Sequence, residues 1–431
     1  MWRFFVPRST DRVGVLFAMA TFASLRVQGQ PMVTSLEQKR KDCSPQGCVL
    51  LPRDIFYDKS SQEALEQLRD ESKEKINQNT DAANASTKAL VELLMSGDED
   101  MATLTLIGYK GGDPNTQINQ DRAFAISPYY VQENDPVVLD TTSDLDTQRL
   151  MGVFDGHATF GERVSEYSVQ QFPQVLADHL NTYLVSGLTP EERDAKIKQS
   201  LEESFIHIDK TAPARPSGGC TATVILQLGP KLYVANAGDS SSFVVVHRAS
   251  TNKTSIVYMS REDKPELPDE KERIERMGGR VYMQAGATSR AIYYDTSTGG
   301  QSGLAMSRSL GDWDAGKVGV IPNPIVDIVD LNEIIQQARW SKDDDDVYIF
   351  AVSASDGMMD FVDPATIARV LVPALFETDG DHPLTACERL ISMAAAGWQQ
   401  AKEGRYRDDI AISVQTIRAP PNKRTFKDDE L

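Results

Sequence analysis

The sequence has few of the residues that build zinc sites and disulfide frameworks. Its 431 residues include four cysteines and five histidines, and the one short cysteine spacing is the single pair Cys43 and Cys48. Structural zinc sites usually take their four ligands from closely spaced pairs of such residues, so the few histidines and the single short cysteine spacing argue against zinc. Basic residues are also outnumbered, with 45 Lys and Arg against 63 Asp and Glu and a formal net charge of −18. This acidic excess would repel a phosphate backbone, which argues against nucleic acid as a partner.

No apolar run is long enough for a stable membrane span. The uncharged, largely apolar run from Val13 to Leu25 has 13 residues, whereas a spanning helix needs about 20. It follows three arginines and precedes the small residue Gly29. This layout predicts a secretory signal peptide over residues 1–30. A buried strand, an uncleaved amphipathic leader and an organelle transit peptide are the alternatives.

The last residues resemble a signal for cellular localisation. Residues 419–431 form a tail that ends in Asp428-Asp429-Glu430-Leu431, which resembles the KDEL and HDEL endings that retain proteins in the endoplasmic reticulum. Together with the predicted signal peptide, this ending predicts the endoplasmic-reticulum lumen. Two glycosylation sequons, at Asn84 and Asn252, fit such a location, although sequons are common by chance.

The cysteines fall into two groups. Pro45 and Gly47 lie between Cys43 and Cys48 and could fold the chain back to close a local disulfide; a reduced pair is the alternative. Cys220 and Cys387 lie in apolar contexts and are predicted to be buried, unpaired thiols.

Between these ends, a polar segment over residues 31–100 precedes a folded domain over residues 101–418. The segment has helical propensity without a wide apolar stripe and is predicted to be an extension. In the domain, β-type runs occur in hairpin-like groups and helical patterns occur in pairs. Gly229-Pro230 joins two strands, Thr189 to Glu192 is a helix-capping box, and a long helix is predicted over residues 383–402. We therefore expect an α+β fold with antiparallel sheets covered by helices.

Aspartates follow or precede several of the apolar strands, often beside glycine. These are Asp121, Asp155, Asp239, Asp356 and Asp408. A single Asp-Gly is most simply a turn, and an acidic composition is most simply a solvated surface. Strand ends that gather at one edge of a sheet, however, would bring these carboxylates together, and clustered carboxylates repel each other unless a cation lies among them. Oxygen ligands favour hard ions, so the pattern predicts Mg²⁺ or Mn²⁺.

Such a site has a defined chemistry. Two ions about 3.5–4 Å apart polarise a phosphoryl group and activate a water for in-line attack, which predicts a phosphatase or phosphodiesterase. His157 follows Asp155-Gly156 and could protonate the leaving oxygen as general acid. The alternative for His157 is a structural histidine.

Several separated segments, in this order, resemble the metal-dependent protein serine/threonine phosphatase family of type 2C, over roughly residues 104–417. They are Asn119 to Arg122, Val153 to His157, Gly218 to Ala222, Ala235 to Ser240, Asp263 to Pro265 with Glu272 to Ile274 and Gly278-Gly279, Leu304 to Asp312, and Ala354 to Gly357 with Arg407 to Ile410. The resemblance implies a central antiparallel β-sandwich flanked by helices in α-β-β-α layers. It also implies two Mg²⁺ or Mn²⁺ ions, phosphoserine or phosphothreonine protein substrates and a monomer.

Carried over by position, the resemblance gives each site residue a role. Asp155 would bridge both ions, the Gly156 carbonyl would bind one, and Asp356 and Asp408 would complete the other. Asp121 would act through water, and His157 would be the general acid. A weaker third ion would lie at Asp239 with Asp356 and Asp360. Residues 261–303 would form a flap over the substrate cleft, in which Lys264, Glu272 and Arg273 are expected to be structural.

The chain departs from the family pattern at three places. Gln120 stands where many relatives carry Glu, and Ala158 to Gly161 replaces a glycine pair. The arginine that holds the phosphate has no obvious counterpart, since the nearby bases are Lys110 and Arg122. Gln120 and the missing arginine favour an alternative, a catalytically weak or inactive phosphatase fold used for binding. A third hypothesis keeps the chemistry but directs it to a small phosphoester.

Overall fold

The computed structural model describes residues 100–112, 116–127, 129, 148–215, 217–338, 346–377, 380 and 382–419. The predicted signal peptide, the polar extension apart from Asp100, the Cys43–Cys48 pair, the Asn84 sequon and the terminal tetrapeptide lie outside these residues. None of the helices in the described part of the chain is long and apolar enough to cross a membrane.

The described residues contain sixteen strands and eight α-helices. The strands are β1 Met101–Leu106, β2 Arg122–Ile126, β3 Arg149–Phe154, β4 Gly156–His157, β5 Gly219–Cys220, β6 Ala222–Leu228, β7 Lys231–Ala237, β8 Ser241–Arg248, β9 Lys253–Met259, β10 Arg280–Tyr282, β11 Arg290–Asp295, β12 Gly300–Leu304, β13 Leu310–Gly311, β14 Ile325–Asp330, β15 Val347–Ala354 and β16 Ile410–Arg418. The helices are α1 Gly161–Tyr183, α2 Pro190–Thr211, α3 Pro268–Arg276, α4 Trp313–Gly316, α5 Leu331–Ala338, α6 Asp356–Met359, α7 Pro364–Phe376 and α8 Pro383–Lys402.

Two five-stranded antiparallel sheets form the centre of the molecule. The first has the order β14-β7-β6-β3-β2 and the second the order β1-β16-β15-β8-β9. Two three-stranded sheets complete the arrangement, β10-β11-β12 in the flap region and β13-β5-β4 beside the ends of the first large sheet. All of the strand pairs in these sheets are antiparallel, as the hairpin-like grouping of the sequence predicts.

Apolar side chains from the inner faces of both large sheets meet in one core. Met151 and Ile225 of the first sheet lie in the same buried cluster as Val244, Ile349 and Ala351 of the second. In an antiparallel strand successive side chains point to opposite faces, so each strand also supplies an outer apolar face. That second face must be covered by another layer.

Helices cover both outer faces. On the first sheet, α1 and α2 pack with an aromatic column that runs from Phe154 through Phe172 to Phe205, the last two rings being 5.3 Å apart. On the second sheet, α7 and α8 supply Leu371 and Leu390 to a separate buried cluster. The layers are therefore α-β-β-α, and the predicted fold class is confirmed.

Several local predictions are also confirmed. β6 and β7 form the hairpin around Gly229-Pro230, and Thr189 and Glu192 form the reciprocal capping box at the start of α2. The predicted long helix is α8. Cys220 and Cys387 are buried and unpaired.

Candidate metal centre

Acidic residues lie at the strand ends on one side of the sandwich. Asp121 precedes β2, Asp155 separates β3 from β4, Asp239 follows β7, Asp356 opens α6 after β15, and Asp408 precedes β16. Because Arg122 pairs with Phe154, Asp121 and Asp155 leave the first sheet side by side. Ala354 pairs with Ile412, which brings Asp356 and Asp408 to the corresponding end of the second sheet.

Two glycines allow the backbone segments to approach each other here. The Gly156 amide donates to the Gln120 carbonyl at 3.1 Å, and a Cβ at Gly156 would lie 2.6 Å from that oxygen. A Cβ at Gly357 would collide with the carbonyl oxygen of Asp409. Side chains at these positions would therefore push the acidic strand ends apart.

Asp121 is fully buried. Neither carboxylate oxygen has a hydrogen-bond partner in the described part of the chain. Burial raises the pKa of Asp121 well above its usual range, and the neighbouring carboxylates Asp409 and Asp408 raise it further. The nearby Ser355 hydroxyl and the Lys110 ammonium oppose this rise. The ionised form of Asp121 thus lacks enough positive charge around it.

Asp155 and Asp356 are in the same electrostatic environment. Burial raises the pKa of Asp155, and the charges of Asp121, Asp408 and Asp239 add to the effect. For Asp356, burial again raises the pKa, followed by the charge of Asp155 and then that of Asp239. The charges of neighbouring carboxylates therefore raise the pKa values of both residues, as expected of a cluster that needs a cation.

The described acids have no preformed metal cage: no three His, Cys, Asp or Glu side chains of this part of the chain are grouped closely enough to hold an ion. Two lysine ammonium groups instead lie among the carboxylates. The donors nevertheless fit hard divalent ions, because they are carboxylates and because three buried oxygens, both of Asp121 and Oδ1 of Asp239, have no partner among the described residues. Divalent ions would satisfy these oxygens and relieve the repulsion between the acids.

Lys110 is the first of the two lysines. Its Nζ lies 3.0 Å from Oδ1 of Asp408 and 3.2 Å from Oδ2 of Asp409. Burial lowers the pKa of Lys110, but the Asp409, Asp408 and Asp155 carboxylates outweigh that effect and raise it above its usual value. A charged ammonium therefore stands at the rim of the acidic cluster, with its side chain 35% exposed.

Lys264 is the second lysine whose ammonium lies among the carboxylates. Its Nζ donates to Oδ2 of Asp239 at 2.7 Å. The preceding residue, Asp263, fixes this arrangement, because its amide donates to the Gly238 carbonyl at 2.9 Å and its carboxylate accepts from the Gly238 amide at 3.2 Å. Lys264 of the predicted flap thus also binds a carboxylate of the centre, a contact that the sequence does not indicate.

The other two flap charges differ from each other. Arg273 donates to the buried Glu270 at 2.5 Å and has a structural role, as expected. Glu272 is exposed, with 77% of its side chain accessible. Glu270 also binds Arg261 at 2.9 Å and Arg308 at 2.7 Å. This network fastens the start of the flap to the segment that follows it.

His157 lies in β4 beside the acids. Its Nε2 is 2.5 Å from Oδ2 of Asp312, and its Nδ1 has no partner within the described ranges. Burial lowers the pKa of His157, but the charge and hydrogen bond of Asp312 outweigh it and the pKa is raised. The pair therefore favours a protonated imidazole with one N–H still to donate.

Gln120 and Ala158, two positions at which the chain departs from the family pattern, are in contact with each other. The Gln120 amide donates to the Ala158 carbonyl at 2.8 Å and to Glu162 at 3.3 Å, so its nitrogen organises the turn into α1. Ala158 has a left-handed φ of 61°, which glycine adopts without the cost borne by other residues. Ala158 therefore holds, with some strain, a conformation that a glycine at this position would adopt freely.

Sequence reasoning identified the acids but not their partners. All six predicted metal residues lie at the same end of the sandwich: Asp121, Asp155, Gly156, Asp239, Asp356 and Asp408. The sequence offers Lys110 and Arg122 as the bases near the first motif without choosing between them, and it shows Asp312 only as the end of a motif. Asp409, which accepts from the Gly108 and Gln120 amides, was noted beside Asp408 without a role. Lys110, Asp312 and Asp409 lie far along the chain from the groups of the centre that they contact, so no local sequence pattern indicates the contacts.

Comparisons with known proteins point to one family. The family model described as Protein phosphatase 2C matches residues 131–399. Two Arabidopsis thaliana proteins, Probable protein phosphatase 2C 41 and Probable protein phosphatase 2C 61, are 27% and 28% identical, covering 68% and 63% of this chain and 77% of each relative. The crystal structure of a serine-threonine phosphatase 2C from Toxoplasma gondii covers 74% of this chain and 94% of that chain, with a TM-score of 0.53 and 20% identity. This last likeness concerns the fold.

Proposed function

Because the chain belongs to the protein phosphatase 2C family, we propose that it is a metal-dependent protein phosphatase acting on phosphoserine and phosphothreonine. The observation that carries this proposal is the buried acidic cluster at one end of the sandwich. The pKa values of Asp121, Asp155 and Asp356 are raised by burial and by one another. A cluster of this kind is costly to keep unless it binds cations.

Asp155, Asp356 and Asp408, with the Gly156 carbonyl, would hold two Mg²⁺ or Mn²⁺ ions, and Asp239 with Asp356 and Asp360 a weaker third. Bound there, such ions supply Lewis-acid polarisation of a phosphoryl oxygen and a water nucleophile at neutral pH. Asp121, whose oxygens are buried among the other acids, would orient water within the cluster.

Lys110 would supply the cation that the family pattern provides as an arginine and that this chain lacks at that position. Asp408 and Asp409 hold its ammonium at the rim of the acidic cluster, where it places a positive charge next to these two carboxylates. A phosphate entering there would meet a point charge with three donors. Lys110 would bind the phosphate and lower the repulsion between an anionic substrate and an acidic centre.

His157 delivers the proton to the leaving oxygen. Asp312 accepts from Nε2 and stabilises the charged imidazolium, so the N–H at Nδ1 can donate to a serine or threonine alkoxide. Once it has given up this proton, the imidazole regains it from solvent. The arrangement suits an alkoxide leaving group, which needs protonation more than a phenolate does.

Hydrolysis of a phosphothreonine peptide by the purified chain, measured as phosphate release against Mn²⁺ concentration, tests this function. We expect metal-dependent turnover that Asp155→Asn and Asp356→Asn abolish. Absence of turnover in the wild type at every metal concentration would favour the alternative, a phosphatase fold used for binding. That alternative draws support from Gln120, whose amide is engaged with Ala158. Comparing the rates of hydrolysis of phosphopeptides and of small phosphoesters tests the third hypothesis, in which the substrate is a small phosphoester.

We also propose that the protein works in the endoplasmic-reticulum lumen. The support is the sequence alone: an apolar run after three arginines, and the ending Asp428-Asp429-Glu430-Leu431. Deleting the last four residues should convert retention into secretion in cells. An intact protein that stays in the cytosol without glycans would refute the proposal.

A further inference from the structure

A cavity of about 600 Å³ opens beside the acidic centre. One wall is the loop around Arg215, a second is the turn after β11, and the third runs from Asp312 to Lys317. Asp312 is also the partner of His157. One wall of the cavity is therefore formed by the partner of His157, the proton donor in the proposed reaction.

The carboxylates of this cavity already have donors. Asp312 accepts from Ser309 at 2.8 Å as well as facing His157. Asp314 pairs with Lys317 at 2.6 Å and accepts from the Thr296 amide at 2.8 Å. Asp295 accepts from the Ser297 amide at 2.8 Å. None of these three acids is left as a free anion for a cationic ligand.

Arg215, in contrast to these three acids, has no oppositely charged partner among the described residues. It is exposed, and its guanidinium lies over the Trp313 ring, with Cζ 5.2 Å from the ring centroid. Among the described residues no carboxylate lies within ion-pair distance of it. Stacking on an aromatic face keeps the edge of a guanidinium available for a bidentate contact with an oxyanion. Arg215 is thus a positioned cation without an anionic partner in this part of the chain.

The Trp313 platform is itself fixed. Its Nε1 donates to the Asp209 carbonyl at 2.9 Å, and the Asp209 carboxylate accepts from the Gly311 amide at 2.8 Å. Both contacts fasten α4 and β13 to the end of α2. The ring under Arg215 therefore needs no rearrangement before a ligand binds.

We propose that this cavity is a substrate subsite that takes an acidic side chain flanking the phosphorylated residue, with Arg215 on Trp313 as its anion-binding group. The proposal rests on the proposed phosphatase function. An extended peptide advances about 3.3 Å per residue. A phosphorylated residue at the acidic centre would therefore place a nearby side chain in the cavity beyond Asp312.

Phosphothreonine peptides that differ only in having Glu, Gln or Lys at each flanking position in turn test the subsite, with p-nitrophenyl phosphate as a peptide-independent substrate. We expect the wild type to favour Glu at one of these positions by about three- to tenfold in kcat/KM. Arg215→Glu should reverse this preference towards Lys, and Arg215→Lys should keep a weakened preference for Glu. Hydrolysis of p-nitrophenyl phosphate should stay unchanged in both variants.

Arg163 provides the matched control. It also stacks on an aromatic ring, that of Phe160 at 4.0 Å, but lies outside the cavity. Arg163→Glu should leave the preference for Glu intact. Normal hydrolysis of p-nitrophenyl phosphate without any preference for Glu, or a preference that Arg215→Glu does not reverse, overturns the subsite. Failure of every substrate overturns the phosphatase function, and the subsite with it.

Discussion

Nε2 of His157 lies 2.5 Å from Oδ2 of Asp312, although the two residues are 155 positions apart in the chain. Asp312 is itself fixed by the Ser309 hydroxyl at 2.8 Å and by a left-handed backbone with φ of 48°. The imidazole is therefore oriented by a carboxylate that the loop between β13 and α4 holds in place. The pairing fixes one imidazole nitrogen and leaves Nδ1 without a partner among the described residues, which is the arrangement that the proposed proton donor needs.

Asp312→Asn should lower kcat on phosphothreonine peptides, because an amide cannot stabilise the imidazolium as a carboxylate does. General acid catalysis contributes about 10²- to 10⁴-fold, and we expect a loss of roughly tenfold or more on the peptide. The loss should be smaller on p-nitrophenyl phosphate, whose leaving group needs little protonation. Asp178→Asn, at an exposed position of α1, should change neither rate. Equal losses on both substrates would mean that Asp312 acts on something other than proton transfer.

Lys110→Met should weaken phosphate capture. Removing the ammonium deprives the substrate of a charged donor, and such hydrogen bonds contribute about 1.5–3 kcal/mol, so kcat/KM should fall roughly 10- to 100-fold. Divalent ions should at the same time bind more tightly, because a positive charge beside Asp408 and Asp409 is lost. Steady-state kinetics and calorimetric titration with Mn²⁺ measure the two effects.

Lys110→Arg should recover part of the lost kcat/KM, since the charge is restored in a different shape. Lys198→Met in α2 is the matched control, because Lys198 forms no ion pair with a described carboxylate. Unchanged peptide kinetics in Lys110→Met would exclude this residue from the phosphate site.

Lys264→Met should strengthen the weakest ion site. The ammonium occupies one oxygen of Asp239 at 2.7 Å, while Oδ1 has no partner in the described structure. Without this competing charge, a third Mn²⁺ should bind more tightly in calorimetric titration, and Asp239→Asn should remove the gain. Lys271→Met, on the exposed part of α3, should have no effect. Weaker ion binding in Lys264→Met would show that the lysine supports the site.

Glu270→Gln should destabilise the fold by about 3 kcal/mol, because a buried carboxylate surrounded by arginines loses its charge while the arginines keep theirs. Burial acts to raise the pKa of Glu270, but hydrogen bonds from Arg273, Arg308 and Ser307 outweigh it and hold the pKa below its usual 4.5. A carboxylate with a lowered folded-state pKa stabilises the protein fully above the unfolded-state pKa. This stabilisation is lost as the pH falls towards the folded-state value.

The difference in unfolding free energy between wild type and Glu270→Gln should therefore be largest above about pH 5 and shrink as the pH falls below 4.5. Urea unfolding at several pH values measures it. Glu272→Gln, exposed on the same helix, should be neutral at each pH. A difference that stays constant with pH would mean that the charge of Glu270 does not contribute.

Strand ends and helix caps were readable from the sequence because their signals are local. Asp155-Gly156 follows an apolar strand, and Thr189 lies three residues before Glu192. The partners of the acids carried no such signal. Asp409 accepts from Gly108 across 301 positions, and Lys110 lies in a glycine-rich polar stretch without regular spacing. The family resemblance places Lys264 in the flap, whereas the contacts of Asp263 with Gly238 hold the Lys264 ammonium against Asp239.

The central claim is that acids from separate strand ends together hold divalent ions. Anomalous scattering at the manganese edge, from crystals of the protein grown with Mn²⁺, tests it most directly. We expect two strong peaks about 3.5–4 Å apart, both in contact with Asp155 and flanked by Asp356 and Asp408. Peaks elsewhere, or no peak at these carboxylates at saturating Mn²⁺, would contradict the assignment of this end of the sandwich as a metal centre.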